Sequence, residues 1–209
     1  MRCPSIFLIL PLITGFFMMI SCGLRSHESG EVPITILYTG NVNGELERCG
    51  CSEAQLGGVA RRKTVIDRMH SGATLLLDSG DVFFGSFPPL IGSREFYRYK
   101  ASAMVRAMNL MGYDAAIPGD YDFAEGDAFL FDRIGEASFS FVCANLIDRD
   151  GRRAIQPYRI VTKGGLRVSV TGFLDSTVPS LPYRKSLGNL MIEDPVEGAR
   201  RVLPEMEKK

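Results

Sequence analysis

The stretch Ala-Thr-Leu-Leu-Leu-Asp-Ser-Gly-Asp at 73–81 most narrows what this chain can fold into. Leu75 to Leu77 form a short apolar run that stops abruptly at Asp78, Ser79, Gly80 and Asp81. A run of that length closed by turn residues reads as a strand buried on both faces, as in a parallel sheet. In open α/β sheets the working groups sit just past the carboxyl ends of the strands. Gly80 permits a tight turn there, and Asp81 is then held out over the sheet edge. A lone signal of this kind is more often a solvated turn. Here two further strands end in loops of the same type, which favours a site.

Read in order, Pro33 opens a strand over 34–38 that breaks at Thr39-Gly-Asn-Val-Asn-Gly44, a loop tolerant of positive φ. The spacing predicts a helix over 57–70, with Val59, Ile66 and Met69 on one face and Gly72 as its C-cap. A longer helix spans 93–111, capped by Ser93, carrying Glu95 in its first turn and ended by Gly112. Its apolar face is Ala103, Met104, Ala107, Met108 and Met111, read as core packing. A short strand at 114–117 leads into the loop Pro118-Gly-Asp-Tyr-Asp-Phe123. Then come a helix over 125–135 and a strand over 139–143 that ends in Ala144-Asn145-Leu146. Segments 158–162 and 166–172 read as a hairpin around Gly164-Gly165. Asp194-Pro-Val-Glu197 is a capping box for a last helix that Pro204 kinks or ends. Strand–helix alternation of this kind predicts an α/β fold with a mostly parallel sheet plus a hairpin. It gathers Asn41 and Asn43, Asp81, Asp120, Tyr121 and Asp122, and Asn145 at strand ends. Several oxygen-bearing side chains at one sheet edge suggest a metal site.

Charge and targeting bound the function. Lys plus Arg equals Asp plus Glu at 24 each, so nothing in the balance points to nucleic acid or an acidic partner. Only two histidines occur, His27 and His70, although most catalytic transition-metal sites use imidazole. Arg2 followed by the apolar run 6–20 reads as a signal segment, too short for a comfortable membrane span. Its end, Ile20-Ser21-Cys22-Gly23, resembles the bacterial lipoprotein signal, in which Cys22 becomes the lipidated first residue. A plain signal peptide is the blander alternative. By that resemblance residues 1–22 are the signal, 23–32 a polar tether and 33–209 the folded domain. The protein is then anchored by lipid on the periplasmic side of the cell envelope, with Gly23 favouring the outer membrane.

The order of Thr39-Gly-Asn-Val-Asn-Gly44, Gly57-Gly58, Ser79-Gly-Asp81, Met108-Asn-Leu-Met-Gly-Tyr-Asp114, Gly119-Asp-Tyr-Asp-Phe123 and Ala144-Asn145 resembles the bacterial 5′-nucleotidase branch of the calcineurin-like metallophosphoesterases. The resemblance runs from about Val32 to the end and amounts to the first half of such an enzyme. It implies a layered α/β sandwich, a small phosphorylated substrate such as a nucleotide, and a divalent cofactor such as Mn²⁺, Mg²⁺ or Zn²⁺. In the family an Asp-x-His pair binds the first metal, but those positions here are Asn41 and Asn43. The bridging aspartate is present as Asp81. The family's Gly-Asn-His-Glu is matched by Asp120 for the second metal, Tyr121 for the transition-state histidine and Asp122 for the glutamate. The family's two later histidine motifs have no match in the chain. A two-metal site stays assembled because carboxylates and imidazoles hold both ions. Asp81, Asp120 and Asp122 would hold one hard cation loosely, so weak binding with little hydrolysis is expected.

Cys49-Gly50-Cys51 beside Arg48 is a second constellation, similar to an exported Cys-x-Cys subgroup of the same family. Arg48 would favour the thiolate of either cysteine. Redox work or thiol–metal binding at Cys49 and Cys51 is therefore the alternative, non-hydrolytic function. Against it stand a bridge from either one to Cys143, a soft-metal pair and inert thiols. Cys143 reads as a buried strand residue. No Cys-x-x-Cys-His segment occurs, so haem attachment is not indicated.

Overall fold

The structure, a computed structural model, describes residues 33–48, 50, 56–85, 93–177 and 186–209. The signal segment with Cys22, the tether, and both Cys49 and Cys51 lie outside the described residues. Four parallel strands lie side by side in chain order: β1 (Thr35–Thr39), β2 (Thr74–Asp78), β3 (Ala115–Ala116) and β4 (Ser140–Phe141). Between them run α1 (Val59–Met69), α2 (Arg94–Met111) and α3 (Asp127–Glu136). Right-handed crossovers between successive parallel neighbours put these helices on one face of the sheet, and α2 packs against both α1 and α3.

Alternation along the strands separates the two faces. Leu76 and Phe141 join Met104, Met108, Leu130, Phe83, Phe84 and Phe129 in the core beneath the helices. Phe83 makes edge contacts with both Phe84 and Phe129. Each fully buried side chain of this size contributes roughly 1.5–3 kcal/mol. On the opposite face Ile36 and Tyr38 of the edge strand β1 remain 59% and 78% exposed, whereas Leu75 and Ala115 nearer the sheet centre are covered.

The hairpin expected around Gly164-Gly165 is present as β6 (Tyr158–Lys163) and β7 (Leu166–Thr171), in register from Tyr158↔Thr171 to Lys163↔Leu166. Both glycines adopt positive φ, 56° and 82°, as a two-residue type I′ turn requires. A short antiparallel pair was not signalled by the sequence: β5 (Leu146–Asp148) with β8 (Leu190–Ile192). Three-residue strands are too short for a period of two to register. The last helix, α4 (Pro195–Glu207), starts at Asp194, whose carboxylate accepts from the amides of Val196 and Glu197.

Several boundaries differ from expectation for physical reasons. The first helix begins at Val59 because Gly57 and Gly58 both take positive φ. It ends at His70 in an extended conformation, so Gly72 is not its C-cap. Gly72 instead offers its carbonyl to the amide of Gly164 at the hairpin tip. Met69 is half exposed and does not belong to the buried face, which is held by Ile66. Pro204 does not end α4, which continues to Glu207. Ser93 and Gly112 cap α2 as expected: the Ser93 hydroxyl accepts from Phe96, and Gly112 turns left-handed at φ 75°. Among the described residues no helix is long and apolar enough to cross a membrane.

Candidate functional site

The loops that leave β1, β2 and β3 meet at the carboxyl edge of the sheet. The β1–β2 ladder continues past its last strand residues: Ser79 donates to the Thr39 carbonyl, Asn41 to that of Gly80 and Asn43 to that of Asp81, all at 2.8–2.9 Å. Asn41, Asn43 and Asp81 each adopt positive φ, 52°, 56° and 55°. Such backbone costs about 1–2 kcal/mol per residue unless glycine holds the position. Gly119 packs directly against this turn. A Cβ there would lie 2.2 Å from both the amide nitrogen and Oδ1 of Asp81. The β3 loop can therefore sit on Asp81 only because position 119 has no side chain.

Asp81 and Asp120 face each other. The Tyr121 amide donates to Asp81 Oδ1 at 2.9 Å. Burial, opposed by that bond and reinforced by the neighbouring Asp120 carboxyl, pushes the Asp81 pKa up to about 6. Both carboxyls line a cavity of about 170 Å³ walled mainly by Ile117, Pro118, Phe123, Phe173 and Leu174, with Asp175 at its margin. Asp175 and Leu174 were not among the expected site residues. They arrive from the end of β7, whose proximity to β3 is a tertiary fact with no local sequence signal.

The remaining expected residues divide. Asn41 and Asn43 are solvent-exposed and line a different cavity, together with Gly57, Gly58 and Arg62. Tyr121 and Asp122 lie in a single turn of 3₁₀-helix, Tyr121–Phe123. Asp122 is wholly buried, and its oxygens accept from the amides of Phe83 (2.8 Å) and Gly119 (2.9 Å). It ties the β2 loop to the β3 loop. Burial raises its pKa to about 7 against those donors. Asn145 is likewise fully buried and does not face the cavity. Its side-chain nitrogen donates to the carbonyls of Leu174 and Glu193, and its oxygen accepts from the Leu174 amide. It cannot then serve as a strand-end ligand. Cys143 is a free thiol, fully buried, and burial raises its pKa.

These positions can be tested against the cation that the family resemblance implies. Asp81 and Asp120 form an adjacent pair of hard oxygen donors. Among the described residues no three His, Cys, Asp or Glu side chains converge as a metal cage would require. Of the expected metal-ligand positions, Asp81 and Asp120 are the two that share one cavity.

Parallel strands with helices on one face, and acidic loops at their carboxyl ends, define an α/β domain with a strand-end site. The 5′-nucleotidase of Vibrio cholerae is 30% identical over 183 residues, covering 84% of this chain and 31% of that protein. Among solved structures, the 5′-nucleotidase precursor from Thermus thermophilus matches with a TM-score of 0.69 at 27% identity, over 84% of this chain and 34% of that one. The calcineurin-like phosphoesterase YfkN from Bacillus subtilis matches with a TM-score of 0.67 at 25% identity, over 84% of this chain and 58% of that one. No family model matches the sequence. The chain belongs to the 5′-nucleotidase family of calcineurin-like metallophosphoesterases and corresponds to its N-terminal part. It spans about a third of the length of the curated relatives it matches.

Proposed function

We propose that this is an extracytoplasmic phosphoester-binding member of the 5′-nucleotidase family that holds one divalent cation weakly and hydrolyses little as this chain. The observation that carries the reading is the split of the expected ligands: Asp81 and Asp120 share one cavity, while Asn41 and Asn43 open onto another. Two neutral amides stand where the resemblance puts a carboxylate and an imidazole, and Tyr121 stands where it puts a second imidazole. Losing one stabiliser of developing charge commonly costs on the order of 100-fold or more. Here several are replaced together. A nucleotide or similar small phosphorylated molecule remains the expected ligand. The apolar run ending in Cys22 supports export and a lipid anchor on the periplasmic side of a bacterial envelope, with Gly23 favouring the outer membrane. The non-hydrolytic alternative rests on Cys49 and Cys51 beside Arg48, and both cysteines lie outside the described residues.

The test is direct. The full chain in mild detergent is incubated with Mn²⁺, Mg²⁺ or Zn²⁺ and a panel of nucleoside monophosphates plus an aryl phosphate. Turnover is expected below roughly 1 s⁻¹, the low end of ordinary enzymes, with weak Mn²⁺ binding seen by electron paramagnetic resonance. Faster turnover that Asp81→Ala abolishes would restore the hydrolase reading.

A further inference from the structure

Beside Asp81 lies a chain of buried and half-buried polar groups to which neither the family reading nor the Asp81 cavity assigns a role. Asp78, the last residue of β2, is 4% exposed. Its Oδ1 accepts from the Gly80 amide at 2.9 Å, and its Oδ2 accepts from the Thr39 hydroxyl at 2.5 Å. The Thr39 hydroxyl also lies 2.7 Å from the Tyr113 hydroxyl. A hydroxyl has one proton. Since Thr39 gives its proton to Asp78, Tyr113 must give its own to Thr39. The positive charge of Arg62 acts on both Tyr113 and Asp78. Donation thus runs one way, from Tyr113 through Thr39, and ends on the Asp78 carboxylate. The links come from three separate elements: the turn after α2, the end of β1 and the end of β2.

We propose that Asp78 is a positioning residue for Asp81, with Thr39 and Tyr113 as the struts that hold it. The argument is geometric. Asp81 sits in a left-handed conformation that a non-glycine residue leaves unless its surroundings over-determine it. The turn that sets this conformation is Asp78-Ser-Gly-Asp81, and its Gly80 amide is held by Asp78. Thr39, Asn41 and Asn43 fix the same turn from the β1 side: the Thr39 carbonyl accepts from Ser79, and the Asn41 and Asn43 amides donate to the Gly80 and Asp81 carbonyls. Release of Asp78 would free Gly80 to relax, and Asp81 would turn away from Tyr121 and Asp120. The inference rests on the reading of Asp81 as the cation-holding carboxylate, but its structural half stands without any cation.

The experiment follows hydrogen exchange at single amides by NMR on the full chain in detergent micelles, alongside Mn²⁺ titration by electron paramagnetic resonance. The variants are Tyr113→Phe, Thr39→Val and the conservative Thr39→Ser. Tyr113→Phe keeps the ring in its site, so the fold survives if the more severe Thr39→Val does not. The Tyr121 amide, which bonds Asp81, should exchange at least about ten times faster in Tyr113→Phe and Thr39→Val. Met108, deep in α2, should change less than about twofold, and Thr39→Ser should restore Tyr121 protection. Mn²⁺ affinity should fall in the same order. Unchanged Tyr121 exchange, or equal loss at Tyr121 and Met108, would overturn the positioning role. Faster Tyr121 exchange in the variants, beside a wild type that binds no Mn²⁺, would uphold positioning and overturn the cation reading instead.

Discussion

Asp122 and Asn145 make a useful pair to set against Asp81 and Asp120. All four are polar residues in loops at the carboxyl edge of the sheet, and from sequence all four read as members of one ligand set. In the fold, Asp122 and Asn145 are wholly buried and their side-chain oxygens and nitrogen are engaged by backbone groups. Asp81 and Asp120 keep part of their surface on a cavity and lean on each other. The difference teaches that residue type and strand-end position do not make a ligand. What decides it is whether the backbone around the side chain has already satisfied it. Loops without regular ladders carry orphaned amides and carbonyls, and a buried carboxylate or amide side chain is the cheapest group to meet them.

The largest expected break in this comparison is Asn145→Ala. It strips partners from the Leu174 amide and carbonyl and from the Glu193 carbonyl, all near the join between the hairpin, β8 and α4. An unsatisfied buried backbone group costs about 1–3 kcal/mol, so a loss of roughly 3 kcal/mol or more is expected in denaturant unfolding. Asn145→Asp should also destabilise, because a carboxylate would face two carbonyl oxygens. If Asn145→Ala unfolds within about 0.5 kcal/mol of wild type, Asn145 is not a brace.

The second concerns pH. The folded Asp122 pKa, about 7, lies above the ordinary carboxyl value near 3.8. The folded state therefore holds the proton that the unfolded state has released, and stability falls as pH rises from about 4 through 7. One such group contributes a slope of at most about 1.4 kcal/mol per pH unit. Urea midpoints between pH 4 and 8 should show this fall, and Asp122→Asn should flatten it. A midpoint that climbs steadily over that range in wild type would contradict the burial argument.

How much of this could be read beforehand follows the same division. The parallel sheet was legible because Leu75–Leu77 is a dense apolar run closed by Asp-Ser-Gly-Asp, and because Ser93 and Gly112 bracket a long amphipathic helix. The hairpin was legible through Gly164-Gly165. Asp81 and Asp120 at a strand-end cavity were legible through loop chemistry and family resemblance. The role of Asn145 was not, since it depends on Leu174 and Glu193, 29 and 48 residues away. Asp78 passed as the ordinary end of a strand because its partners, Thr39 and Tyr113, sit 39 and 35 positions from it. Nor did any local pattern bring Asp175 to the cavity or send Asn41 and Asn43 to a separate one.

The smallest effect sharpens the comparison most, because its sign is opposite. Asp81→Asn removes a carboxylate that burial and Asp120 already push toward its neutral form, with a folded pKa of about 6. Above that pH the folded protein carries a charge that its surroundings disfavour, whereas the unfolded chain carries it in water. Asparagine keeps an oxygen for the Tyr121 amide and drops the charge. The variant should therefore match wild type at pH 4, where the folded Asp81 carboxyl is protonated and neutral like the amide, and exceed it at pH 8. The gain should stay below about 1 kcal/mol, since the cavity side of the group is screened by solvent. Paired urea melts at the two pH values check it, and Mn²⁺ binding measured on the same samples should weaken while stability rises. A variant less stable than wild type at pH 8 would place Asp81 with the braces rather than with the cavity, and would erase the distinction between the two kinds of strand-end residue.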